Sequence, residues 1–200
     1  MYCEQCGNKL PDDAKFCGSC GYSSVVEPGE DKKVEYFSIS PTRLMLLSVI
    51  TFNLYEIYWF YKNWYVVKKA ENLNISPFWR AMFSVFYCYD LFRRIIGSAK
   101  DNAYPKILSA GWLAAAYIIL LFVGNGVSRV EDPNGTYFIW TLVLLVLTPL
   151  TLIPIQQAIN FNNEKVNPTH VQTNTFNGPE VVLIVVGVIL FALTILGTFS

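Results

Sequence analysis

The chain has 200 residues, 53% of them hydrophobic and only 15% charged, with a formal net charge of zero at pH 7. So apolar a composition excludes an ordinary soluble domain, and the zero net charge excludes long-range attraction to nucleic acid. Thirteen of the 15 Lys and Arg lie at or before Lys106, so the second half is almost without cations.

The N-terminus carries two knuckles, Cys3-Glu-Gln-Cys6-Gly7 and Cys17-Gly-Ser-Cys20-Gly21, separated by ten residues. Two residues between cysteines let both thiolates reach one ion, and the glycines relax the tight turn. Four thiolates close a tetrahedral shell and leave no position for substrate, so Cys3, Cys6, Cys17 and Cys20 predict structural Zn2+, with iron the minor alternative. A segment this short buries too little to fold without its metal. Residues 1–31 carry a charge balance of −4, and four thiolates on a divalent ion add to it. Phosphate backbones are repelled, so nucleic acid is excluded and a protein partner or a second copy is expected. The opening Met-Tyr-Cys-Glu-Gln-Cys is no secretory signal, which places this head in the reducing cytoplasm. The head resembles the short zinc-ribbon domains at the N-termini of many prokaryotic membrane proteins. That resemblance rests on the knuckles and on Pro11-Asp-Asp-Ala-Lys-Phe16. Residues 1–24 are read as the ribbon and 25–39 as a linker.

Ser40-Pro41 and Ser76-Pro77 each read as an N-cap followed by proline at the first helical position. The first predicts a re-entrant or spanning helix over 42–64. Its Glu56 is either an acid buried against a partner helix or, the preferred reading, a headgroup-level residue in an aromatic belt of Tyr55, Tyr58, Trp59 and Tyr61. The second predicts an amphipathic interfacial helix over 78–98, because its uncharged core from Ala81 to Tyr89 is too short to cross. Its polar stripe holds Arg80, Ser84, Tyr87, Arg94 and Ser98, with Met82, Val85, Phe86, Tyr89, Phe92 and Ile96 opposite. Asp90 and Arg94 are spaced for an i,i+4 ion pair. Cys88 is read as packed in preference to lipidated. Residues 40–64 resemble a bacterial membrane family of unknown function, through Thr-Phe-x-x-Tyr-x-x-Tyr-Trp at Thr51 to Trp59 and then Tyr61-Lys62-Asn63. That family often has Gly after Phe. Here Asn53 stands in its place, which puts close helix packing at that point in doubt. The resemblance implies a membrane location and no particular activity.

Residues 107–127, 137–155 and 180–199 are read as spanning helices, the first two folded back over the turn Asp132-Pro133-Asn134-Gly135. Gly187 and Gly197 invite close helix approach. Asn177-x-x-Glu180 reads as a capping pattern. Between the last two spans, Gln156 to Lys165 is polar and asparagine-rich, with Asn160 and Asn163 read as solvated in preference to hydrogen-bonded to neighbouring carbonyls. His170 is read as loop. Eight cations from Lys62 to Lys106 face Arg129 alone in the stretch Gly124 to Thr136. The charge rule then puts the Lys106 end in the cytoplasm and the Asp132 turn outside. The middle helices must both cross or both stay, and the second is preferred. The chain is expected to be multi-pass in the cell (inner) membrane, N-terminus cytoplasmic and C-terminus external.

The sequence thus predicts an all-α integral membrane protein with a small N-terminal four-cysteine zinc ribbon. It is expected to be non-enzymatic, because no nucleophile–base pair or open metal site is visible. The favoured function is docking of a protein partner, or self-association, through the ribbon; glycine-bearing spans also allow a homo-oligomer. The alternative is a small transporter or channel component using Glu56 and Asp90 as a membrane-embedded polar site.

Overall fold

A computed structural model describes residues 9, 34–127, 136–170, 172 and 175–198. The chain divides into two units, Met1–Lys33 and Val34–Ser200. Cys3, Cys6, Cys17 and Cys20 lie outside the described residues, as does the Asp132–Gly135 turn.

The second unit is helical: α1 (Pro41–Ile50), α2 (Leu54–Glu71), α3 (Pro77–Met82), α4 (Ser84–Asp101), α5 (Ala110–Val127), α6 (Thr136–Leu150), α7 (Ile153–Val166) and α8 (Gly178–Thr198). Ser40 and Ser76 occupy the N-cap positions with extended backbone and proline follows each, although neither hydroxyl makes a capping bond.

The single helix expected over 42–64 is two helices. Thr51 ends α1, and Phe52 and Asn53 follow at φ 51° and 64°. Two successive left-handed residues turn the chain sharply, and Thr51 Oγ1 accepts the Tyr55 amide at 2.9 Å to start α2. Asn is the residue after Gly that best tolerates this conformation. Asn53 thus meets a need of backbone sign that glycine would meet equally. Close packing at this point survives through Gly187, where an added Cβ would lie 2.5 Å from the Ile50 carbonyl oxygen. Asn53→Val is expected to destabilise the fold by about 1–2 kcal/mol and Asn53→Gly to leave it unchanged or firmer, as read by thermal melts in detergent.

α2 reverses another expectation. Tyr55 and Trp59, assigned to an interface belt, are fully buried, and with Phe60, Trp64 and Val67 they form the core. The Phe60 ring lies 5.1 Å from Trp59, 5.5 Å from Tyr117 and 6.0 Å from Phe92. Only Tyr58 and Tyr61, on the other side, are partly or well exposed. α2 ends at Asn72, again left-handed, with the Asn72 and Leu73 amides both reaching the Lys68 carbonyl. That is the usual helix stop with Asn in the glycine position.

The helix expected over 78–98 also divides, at Phe83. Its buried face is Ala81, Ser84, Cys88, Leu91, Phe92, Ile95, Ile96 and Ala99. Of the apolar side expected opposite the polar stripe, Phe92 and Ile96 are buried while Met82, Phe86 and Tyr89 are exposed, as are Phe78, Trp79 and Phe83. Both faces of this segment are apolar, one against protein and one open, and a two-sided pattern hides which side packs.

α5 buries only Ala114 and Tyr117. It and the helical stretch Ile139–Val166 are long and apolar enough to cross a membrane. α6 and α7 meet around Pro149, Thr151 and Leu152, so the span expected to end at 155 gives way near Leu150 to a polar helix. α8 has 21 residues and begins with the expected capping box: the Asn177 amide donates to Glu180 Oε2 and the Glu180 amide to Asn177 Oδ1, both at 3.1 Å. The surroundings of Gly197 lie outside the described side chains.

Candidate functional site

The polar chemistry of the helical unit concentrates in three places. The first is the extended segment Val34–Ser40, part of which was read as free linker. It is laced into the bundle by side-chain amides. Asn163 Oδ1 accepts the Tyr36 amide at 3.0 Å while its Nδ2 donates to the Tyr36 carbonyl at 2.6 Å. Asn160 Nδ2 donates to the Ile39 carbonyl and its Oδ1 accepts from Ser38 Oγ. Asn162 Nδ2 reaches the Val34 carbonyl, and Asn63 Oδ1 of α2 accepts the Phe37 amide. Gln156 Nε2 supports Asn160, and Trp59 Nε1 donates to Gln156 Oε1 at 2.6 Å. An amide side chain presents N–H donors and a carbonyl acceptor side by side, as a peptide edge does, so α7 stands in for a neighbouring β-strand.

Asn160 and Asn163 are therefore buried ligands of the backbone, where solvated residues were expected. His170 continues the clasp, its Nδ1 paired with the Glu35 carboxylate. Tyr36 is buried and its hydroxyl pairs with Ser98 Oγ at 2.9 Å; burial raises its phenol above the usual value, with that bond opposing the rise. Asn163→Leu strands the Tyr36 amide and carbonyl, which costs about 2–4 kcal/mol. It should speed proteolysis within residues 34–40 before the helices themselves melt.

The second place surrounds Glu180, which is fully buried. It holds Arg43 Nη2 at 2.8 Å and Tyr55 Oη at 2.9 Å besides capping α8. Arg43 also donates to the Thr175 carbonyl and lies 4.6 Å over the Phe176 ring, and Asn177 Nδ2 donates to Tyr58 Oη. This cluster ties the start of α8 to α1 and α2.

The third is the charged array on α4. Asp90 pairs with Arg94 at 3.0 Å, as the spacing predicts, and with Arg80 at 3.2 Å. Arg94 also pairs with Glu71, and the Arg80 guanidinium stacks on Trp64 and Tyr87.

Glu56 and Asp90, proposed together as one polar site, have different neighbours. Asp90 is half-exposed in its ion pairs. Glu56 is 2% exposed, shares the interior with the Tyr117 phenol, and leaves Oε1 without a hydrogen bond. The headgroup position preferred for Glu56 is replaced by a buried one. Cys88 is fully buried too, its thiol pushed up to about 11 by burial, so it is neither accessible nor poised for acylation.

Among the described residues no cluster of His, Cys, Asp or Glu fits a metal ion. Residues 2–24 match the zinc-ribbon domain family. That match supports zinc binding by this head. No curated protein and no solved structure matches the chain. The ribbon therefore precedes a helical unit whose first described stretch, Val34–Ser40, is held by buried amides.

Proposed function

We propose that this chain is a non-enzymatic, multi-pass protein of the prokaryotic cell membrane, and that its zinc ribbon docks a protein partner or a second copy at the cytoplasmic face. Zinc bound by Cys3, Cys6, Cys17 and Cys20 is structural in this reading. The observation that carries it is the ribbon match over residues 2–24, at the head of a unit with long unburied apolar helices. α5, α6 and α8 are the spans. α3 and α4 lie along the interface with Phe78, Trp79, Met82, Phe83 and Phe86 toward lipid, as exposed aromatics favour. The clasp on Val34–Ser40 fixes the first described stretch of the helical unit.

Deletion of residues 1–24 tests this reading. Insertion into membranes should persist while cross-linking to a partner or to a second copy disappears. An unchanged cross-linking pattern overturns the docking role.

One observation favours a second reading. A buried carboxyl with an unbonded oxygen, as at Glu56, is costly and invites a proton or cation. As a transporter or channel component the chain would carry solute in liposomes, and Glu56→Gln would abolish that flux. Glu56→Gln in a purely structural protein would instead raise the melting temperature.

A further inference from the structure

A polar pocket of about 390 Å³ opens between the Val34–Ser40 segment, the end of α2 and the C-terminal half of α4. Val34 and Tyr36 form one wall, Glu71 another, and Gly97 lies at the floor among charged residues of α4. Arg94 bridges Asp90 and Glu71 across it. Arg93 and Asp101, also in the lining, are exposed and form no ion pair among the described residues.

These two sit at opposite ends of the floor. They are eight residues apart, about 12 Å along the helix, with Gly97 midway. Among the described residues the pocket thus offers a cation without an ion pair at one end and a carboxylate without one at the other, with the bare Gly97 midway. A ligand that fits must carry both signs and little net charge. Carboxylates and guanidiniums alternate around the wall, so a purely anionic group meets Glu71, Asp90 and Asp101 unfavourably.

The stripe that forms the floor does not begin at Arg93. Phe86, Tyr89, Arg93, Gly97 and Asp101 follow one another at spacings of three, four, four and four, on one face of α4. Phe86 is 78% and Tyr89 50% exposed. The face is apolar and unpartnered up to Tyr89, turns cationic at Arg93, and opens into the pocket beyond it. That order is the order of a phospholipid read from tail to headgroup: acyl chain, phosphate, then ammonium.

We propose that the pocket receives the headgroup of a zwitterionic, amine-bearing phospholipid, with the phosphate on Arg93, the ammonium over Gly97 toward Asp101, and an acyl chain along Phe86 and Tyr89. The proposal rests on the membrane location argued above. Because Tyr36 of the clasped segment lines the pocket, an occupied site also braces the stretch that follows the ribbon.

The test uses the full chain, purified in detergent and then exchanged into vesicles. Flotation with the vesicles checks the membrane location first, and failure to float sinks that reading. Lipid retention is then compared for phosphatidylethanolamine and phosphatidylglycerol by native mass spectrometry. Phosphatidylethanolamine should be retained about tenfold better, the ratio expected from one charge-assisted contact. Gly97→Leu should abolish the preference without unfolding the chain, because an added Cβ at Gly97 meets nothing within 4 Å and leucine favours the helix. If that variant fails to fold, Arg93→Gln with Asp101→Asn, both exposed, should remove the preference instead. Equal retention of the two lipids in a chain that floats overturns this proposal alone, as does a preference that survives the variants. Soluble phosphoethanolamine competing at equimolar concentration would assign the site to a free solute and overturn the lipid assignment.

Discussion

Replacing Cys17 by Ser is expected to reduce bound zinc from about one ion per chain to none after dialysis against a mild chelator, as measured by atomic absorption. The head matched as a zinc ribbon spans residues 2–24 and is too short to bury a self-sufficient core. Zinc binding in peptides of this size supplies roughly 10–16 kcal/mol of apparent free energy, nearly all of it spent on folding. Three remaining thiolates leave an open, hydrated position and bind far more weakly. Residues 1–24 should then become the preferred site of proteolytic cleavage. The helical unit should melt where it did before, because the chain divides between Lys33 and Val34. The same substitution should remove partner cross-linking as completely as deletion of the head does. Zinc retained at one ion per chain in Cys17→Ser would mean that Cys17 is no ligand.

What could be read from the sequence divides along a physical line. Local signals carried over well. The Asn177–Glu180 capping box, the Ser-Pro helix starts and the Asp90–Arg94 pair each depend on residues within four positions of one another. The Cys-x-x-Cys knuckles, equally local, gave the one feature that a family match also finds. What escaped was long-range. Asn160 and Asn163 bond to backbone more than 120 residues earlier, and nothing in an asparagine-rich stretch tells whether water or a peptide will satisfy it. α2 is aromatic on every side, so burial of Trp59 and exposure of Tyr61 depend on where α4 and α5 pack. α4 shows the same ambiguity in a sharper form. Its interior face includes Ser84 and Cys88, while Phe86 and Tyr89 stay outside, an inversion that polarity alone would not assign. The kink at Phe52–Asn53 had a visible trace in Asn53, a residue type that accepts the left-handed region. Its meaning lay in the sign of φ, where close packing had been the issue considered.

Glu180→Ala is the substitution expected to harm the helical unit most. The side chain is fully buried and satisfies three groups at once: the Arg43 guanidinium, the Tyr55 hydroxyl and the Asn177 amide. Removing it leaves the guanidinium, itself mostly buried, without its carboxylate, and losses of that type amount to about 3–5 kcal/mol. For a protein of this length that corresponds to a fall of roughly 10 °C in melting temperature, measurable by thermal shift in detergent. Glu180→Gln keeps a capping oxygen and an acceptor for Tyr55 but loses the charge, so it should fall between the wild type and alanine. The pairing itself is isolated by the double variant Arg43→Met, Glu180→Met. With no buried charge left on either side, it should be clearly more stable than the sum of the single changes implies. Strict additivity would show that the cap and the tyrosine bond, and not the ion pair, hold α8 against α1 and α2. Since Arg43 lies two residues beyond Pro41 and the clasped segment ends at Ser40, loss of the pair should also loosen the path from the ribbon into the bundle. Faster proteolysis at residues 34–40 in Glu180→Ala, before global melting, is the accompanying sign.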